Sequence, residues 1–313
     1  MINLQTIAVV IPAYRVADHI LDVLSLIPET VDHIIVVDDA CPQGSGRKAA
    51  SVPRKGLVVV YHENNKGVGG AVITGYKKAL ELGCEIIIKM DGDGQMDPAY
   101  IGSLADPLVR GDADYVKGNR FRDFAALKSM PHGRLFGNSA LSFLVKIASG
   151  YWDIMDPTNG YTAMHKRTLV ELNLDKIAER YFFETDMLIN LNIVNAVVKD
   201  ISMPARYGQE TSSLKLRKAL YHFPPKLMRG LAKRIFLKYF IYDFNMASLY
   251  LLLGLPMFVI STCIGIVEWL DSFMSGTPKS AGTIMIIALP IIISFQMLLQ
   301  AVQIDIGSVP RKR

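Results

Sequence analysis

Cysteine and tryptophan are scarce, with three Cys and two Trp in 313 residues. Cys41, Cys84 and Cys263 are odd in number, far apart and never in a C-x-x-C pair. This excludes a disulfide framework and a cysteine zinc site, and the thiols read as structural residues of a reducing compartment. His33, His62, His132, His165 and His222 lack ligand spacing and read as packing or surface residues. The opening stretch, MINLQTIAVVIPAYR, has no basic leader and too short an apolar run for a signal peptide, so the bulk of the chain is expected in the cytoplasm. Acid is missing from residues 214 to 240, where Lys215, Arg217, Lys218, Lys226, Arg229, Lys233, Arg234 and Lys238 stand among apolar residues. The mean hydropathy of +0.26 is high for a soluble enzyme and low for a polytopic transporter. A soluble domain with a small membrane part fits.

The long apolar runs lie at the C-terminal end. Residues 246 to 268 and 282 to 304 each approach the ~20 residues a helix needs to cross a bilayer. Gly254, Pro256 and Pro290, which weaken soluble helices, are tolerated in such spans. The segment between the runs carries only Glu268, Asp271 and Lys279, while Arg311, Lys312 and Arg313 close the chain. The positive-inside rule then puts both termini in the cytoplasm. Residues 211–243 read as a basic amphipathic segment lying on anionic lipid. A basic run also suits nucleic acid, but beside a membrane span no nucleic-acid partner is expected. The domain plan is 1–210 catalytic, 211–243 juxtamembrane, 244–306 a two-helix transmembrane hairpin and 307–313 a basic cytoplasmic tail.

The first 210 residues alternate β-rich runs with helical ones. TIAVVIP, HIIVVDD, LVVVYHE, EIIIKMD and ADYVKGN predict strands buried on both faces, with GGAVITGYKKALELG and DPAYIGSLADPLVRG as helices between them. Asp97 before Pro98 predicts a helix N-cap. The order implies an α/β fold with a mostly parallel sheet, which binds ligands beyond the carboxyl ends of its strands. Asp38 and Asp39 end one strand; Asp91 and Asp93 end another.

The stretch MDGDGQMDP opens like an EF-hand loop, but Met96 stands where glycine is needed and Gly102 where the bidentate glutamate is needed. Asp91, Asp93 and Gln95 alternate, and the glycines between them allow their side chains to converge. A few hard oxygen donors suit Mg²⁺ or Mn²⁺ carrying a substrate diphosphate. The glycine-rich NNKGVGGAVITG lacks both G-x-G-x-x-G and a Walker ending. Its glycines serve either ligand approach or tight packing.

Together VVIPAYR, VVDDACPQGSG, NNKGVGGAVITGYKKA, MDGDGQMDP and VKGNRF resemble, in order and spacing, the inverting family 2 glycosyltransferases of GT-A fold. With the basic segment and two spans, the chain is similar to their polyprenyl-phosphate branch, which includes dolichol-phosphate mannose synthases and bacterial undecaprenyl-phosphate glucosyltransferases. The resemblance implies transfer of a sugar from a nucleotide diphosphate to a lipid phosphate. It implies that Pro12, Tyr14, Asp38 and Asp39 line the nucleotide pocket, and that Asp91, Asp93 and Gln95 hold metal and diphosphate. It also brings Arg120, and less securely Arg134, to the acceptor phosphate. Glu184 and Asp186 either orient the donor sugar or face solvent on a helix. Two departures stand out: Val16 replaces an acid frequent in relatives, and Asn159, Gly160 and Tyr161 replace a glycine–phenylalanine pair.

A phosphate nucleophile is already anionic near pH 7, so it needs positioning and charge relief rather than a strong base. Arginine's planar fork suits that task. A processive synthase would show Q-x-x-R-W, and neither Trp152 nor Trp269 closes that motif. The alternatives left standing are a membrane-anchored nucleotide-sugar binder without catalysis and a family 2 transferase with another acceptor. Two spans are too few for a flippase, so a separate protein is expected to flip the product. The oligomeric state is left open, a homo-oligomer included.

Overall fold

The computed structural model describes residues 5–120, 132–204 and 216–312. Seven strands run β1 Ile7–Ala13, β2 His33–Asp38, β3 Leu57–Tyr61, β4 Ile86–Lys89, β5 Tyr115–Asn119, β6 Thr162–His165 and β7 Val198–Ser202. The helices are α1 Ile20–Leu26, α2 Ser45–Ala50, α3 Val68–Glu81, α4 Ile101–Val109, α5 His132–Ser149, α6 Lys166–Glu171, α7 Phe183–Ile193, α8 Leu216–Phe236, α9 Met246–Ser275 and α10 Ala281–Gly307. The chain forms two units, one ending at Arg234 and taking in Pro310–Arg313, the other Ile235–Val309.

The first unit is a seven-stranded sheet in the order β3-β2-β1-β4-β6-β5-β7. Strands β1 to β4 are parallel, β6 runs antiparallel between β4 and β5, and β5 pairs β7 in parallel. Ala8, Val9, Val10 and Ile11 are fully buried, as a continuous apolar run in a parallel sheet requires. β3, expected to be buried on both faces, is instead the half-buried edge strand. Helices cross to opposite sides from β1 and from β3, so the order reverses between β1 and β4. That reversal opens a crevice at the strand ends. Arg15 and Ala40, in the turns that leave β1 and β2, take left-handed backbone (φ 59° and 53°), a conformation that bulky residues adopt at a cost.

The glycines that begin α3 serve packing. A Cβ on Gly69 would meet Ala178 O at 2.5 Å, and one on Gly75 would meet Val10 Cγ1 at 2.2 Å. The expected Asp97 cap is present, its carboxylate accepting from Ala99 N at 3.0 Å ahead of Pro98.

In the second unit α9 and α10 are long and apolar enough to cross a bilayer, with a mean hydropathy of 2.2 over each apolar window. Only 11% and 6% of those windows are buried, which rules against core helices of a soluble fold. α9 extends past the expected end at 268, so Glu268 and Asp271 sit near its last turns, where Lys279 pairs with them at 2.7 and 2.6 Å. Bare Gly254 faces Met297 and Ser294, and Gly265 faces Ile287, which lets the two backbones approach.

The basic segment does not face outward throughout. Lys226 and Arg229 are exposed, but Arg234 is buried and donates from Nε to Ala148 O and from Nη2 to Ile147 O, both at 3.0 Å. It caps the carboxyl end of α5, where the helix carbonyls otherwise lack donors. Lys238 is also buried and donates to Ser308 O. Neither serves the surface role expected of it.

Candidate active site

Asp38 and Asp39 end β2 but do different things. Asp38 accepts from Cys41 N at 2.7 Å and Gly46 N at 2.6 Å, which fixes the turn into α2. It is not among the residues lining either main cavity. Asp39 accepts from Lys66 N and Gly67 N, both at 2.8 Å, and pairs with His62 Nδ1 at 2.7 Å, whose Nε2 meets Thr74 Oγ1. His62 is therefore a satisfied buried residue that orients the floor of the site.

Asp39 lines a cavity of about 640 Å³ at the strand-order reversal, together with Pro12, Tyr14, Lys89 and Glu184. A second cavity of about 140 Å³ is bordered by Gln95, Asp97, Arg120, Asn159 and Tyr161. Asp91, Asp93, Thr158 and Gly160 border both. The two carboxylates of the D-x-D stretch thus stand where the two cavities meet.

Arg120 leaves β5 and is gripped by Asp156, with Nε 2.8 Å from Oδ2 and Nη2 3.1 Å from Oδ1. Asp156 is fully buried. Burial alone would raise its carboxyl, but the hydrogen bonds and charge of Arg120, with Lys117, hold it below the ordinary carboxylate value. Asp123, an acid close to Arg120 in sequence, and the side chain of Arg134 both lie outside the described residues. Lys117, wholly buried, donates to Asp156 O and Asn159 O, and burial pushes its ammonium down to about 8.

The family model for glycosyl transferase family 2 matches residues 8–172, from β1 to the end of α6. The chain belongs to glycosyl transferase family 2. A UDP-N-acetylglucosamine–dolichyl-phosphate N-acetylglucosaminyltransferase of Methanococcus voltae is 33% identical over 217 residues, covering 63% of this chain and 86% of that protein. An undecaprenyl-phosphate mannosyltransferase of Micrococcus luteus is 32% identical over 186 residues, 57% of this chain and 74% of its own. A crystal structure of a mycobacterial protein aligns over 74% of each chain with a TM-score of 0.56 and 20% identity, a likeness of fold.

Within this family 2 site, Glu184 and Asp186 separate clearly. Glu184 lines the larger cavity. Asp186 instead accepts from Ala178 N at 2.8 Å and from Asn190 Nδ2, and burial raises its carboxyl above the usual range. It ties α7 to the preceding loop. Among the described residues no three His, Cys, Asp or Glu side chains converge as a metal cage. Asp91, Asp93 and Gln95 around one small cavity fit a different kind of site, since Mg²⁺ is usually held by one or two carboxylates and completed by substrate phosphates.

Sequence reasoning missed Lys89. It closes the apolar run of β4, and its Nζ pairs with Asp91 Oδ1 at 2.8 Å. A lone cation at the end of a strand buried on both faces, directly before an acidic loop, was the available signal.

Proposed function

We propose that this chain is an inverting glycosyltransferase that moves a hexose from a UDP- or GDP-linked sugar to a polyprenyl phosphate, undecaprenyl or dolichyl, at the cytoplasmic membrane face. The observation that carries the reading is the meeting of a large and a small cavity at Asp91 and Asp93, with Arg120 on the small one. Relatives named for dolichyl and undecaprenyl phosphate support the acceptor class, and the two apolar helices suit a lipid substrate.

In this reading Pro12, Tyr14 and Asp39 hold the nucleoside, and Glu184 orients the sugar. A Mg²⁺ or Mn²⁺ ion held by Asp91, Asp93 and Gln95 with the donor diphosphate would neutralise charge on the departing nucleotide. Arg120, kept in place by Asp156, presents its cation to the acceptor phosphate and offsets that group's repulsion from the donor. The phosphate oxygen attacks the anomeric carbon from the side opposite the leaving group, which inverts it. The oxygen is already ionised, so no general base is required. Lys226 and Arg229 contribute to holding the domain on anionic lipid.

The deciding experiment is a radiochemical screen of UDP- and GDP-sugars with undecaprenyl and dolichyl phosphate, using the full chain in detergent. Transfer to a prenyl phosphate is the expected result. Donor binding without transfer to any acceptor would favour the anchored binding protein instead. Flipping of the product belongs to a separate protein, and movement of the glycolipid across liposomes by this chain alone would refute that.

A further inference from the structure

Lys89 is buried at the end of β4, and its ammonium lies between two carboxylates from distant parts of the chain: Asp91 Oδ1 at 2.8 Å and Glu184 Oε1 at 3.5 Å. Gly160 lies directly on this cluster. A Cβ there would stand 2.2 Å from Lys89 Nζ and 3.4 Å from both Asp91 Oδ2 and Glu184 Oε1. Any side chain at 160 would displace the ammonium.

Lys89, Asp91, Glu184 and Gly160 all border the larger cavity. With Asp91 assigned to the metal and diphosphate, Glu184 is the carboxylate of this cluster that accepts from hydroxyl donors, and that chemistry matches the neutral, polyhydroxylated part of a nucleotide sugar. A carboxylate reads a hydroxyl well only when its direction is fixed, and Glu184, on α7, is held to the sheet by Lys89.

We propose that Lys89 is the positioning residue of the donor-sugar subsite: it fixes Glu184 as a hydroxyl acceptor on the cavity floor, and Gly160 is bare to leave the ammonium in place. This rests on the larger cavity being the donor site.

The test is titration calorimetry of the full chain in detergent with UDP-N-acetylglucosamine, UDP-glucose and GDP-mannose, each against its bare nucleotide, UDP or GDP. Wild type should bind at least one sugar nucleotide more tightly than the bare nucleotide. Lys89→Met and Gly160→Ala should each weaken that sugar nucleotide by about ten- to hundredfold, while the bare nucleotide changes by less than about threefold. Should Lys89→Met fail to fold, Gly160→Ala keeps every charge and carries the same expectation. Glu184→Gln, which leaves Lys89 paired with Asp91, should reproduce the selective loss. Equal weakening of sugar nucleotide and bare nucleotide in these variants, or no weakening of either, overturns the proposal while leaving the donor site standing. If wild type binds none of the probes, the donor reading itself fails and the proposal with it.

Discussion

On the β1–β3 side of the sheet the carboxylates that follow β2 are held by backbone amides, whereas on the β5–β7 side the buried Asp156, in the loop before β6, is held by a side-chain cation, the partly exposed Arg120. Asp38 and Asp39 take amides of Cys41, Gly46, Lys66 and Gly67. Asp156 takes the guanidinium of Arg120, with Lys117 buried beside it. Asp91, two residues past the end of β4, takes the ammonium of Lys89. The difference is one of what each carboxylate controls. An amide cradle shapes a turn, so the loss of Asp38 is local, while Asp39 also meets His62 and borders the larger cavity. A carboxylate on a side-chain cation fixes a charge that can itself face a substrate, so its loss moves chemistry as well as stability.

The largest expected effect lies at the junction. Asp93→Asn should lower transfer by roughly a hundred- to a thousandfold with the fold intact, the scale of losing one charge-stabilising group at a reacting centre. EDTA should reproduce this reversibly in the wild type. Full activity of the variant in chelator would remove the metal from the mechanism.

Next is Arg120→Ala, which tests the cation side directly. Acceptor dependence should weaken about ten- to hundredfold, with donor affinity far less changed. Because Asp156 is left buried and unpaired, unfolding free energy should also fall, by about 3 kcal/mol. Lysine should restore the charge but only part of the two-pronged geometry. Separate titrations with donor and prenyl phosphate decide it, and equal loss for both substrates would take Arg120 out of the acceptor site.

Lys117 gives a pH signature that the amide side lacks. Its folded value of about 8 lies below the unfolded value of 10.5, so between these the unfolded chain binds more protons and stability should rise with pH. The gain should be about 2 kcal/mol across pH 8 to 10, measured by denaturant unfolding, and Lys117→Met should flatten that part of the curve. An unchanged slope in the variant would show that the proton is taken up elsewhere.

Asp38→Asn should have the smallest effect, about 1 kcal/mol of stability and little change in nucleotide affinity, because only the turn to α2 depends on it. Asp39→Asn, in the cavity wall, should lower nucleotide affinity more than Asp38→Asn does. Nucleotide titrations of the pair check this, and the reverse order would exchange their roles.

Much of this molecule was legible along the chain. The runs that became β1, β2 and β4 have continuous apolar middles, so each reads as a strand without knowledge of its neighbours. Asp97 and Pro98 signal their cap locally, and the D-x-D spacing after a buried strand points to a ligand. β6 and β7 were not legible: Thr162–His165 is a four-residue strand whose place between β4 and β5 is set by pairing, not by pattern. Glu184 and Asp186 share one helix turn and one chemistry, so only packing could assign one to the cavity and the other to Ala178.

The sequence by itself determined the parallel strand order's raw material, the acidic strand ends, two apolar helices of spanning length and membership in family 2. These follow from local composition and short spacing, which act wherever the chain goes. Only the tertiary structure decided which charges turn inward. Arg120 and Arg234 look in sequence like any basic residues, but taking a charge out of water is tolerable only where a partner meets it, and those partners stand 36 and 86 residues away; Lys89 has Asp91 beside it, but its second carboxylate, Glu184, is 95 residues on.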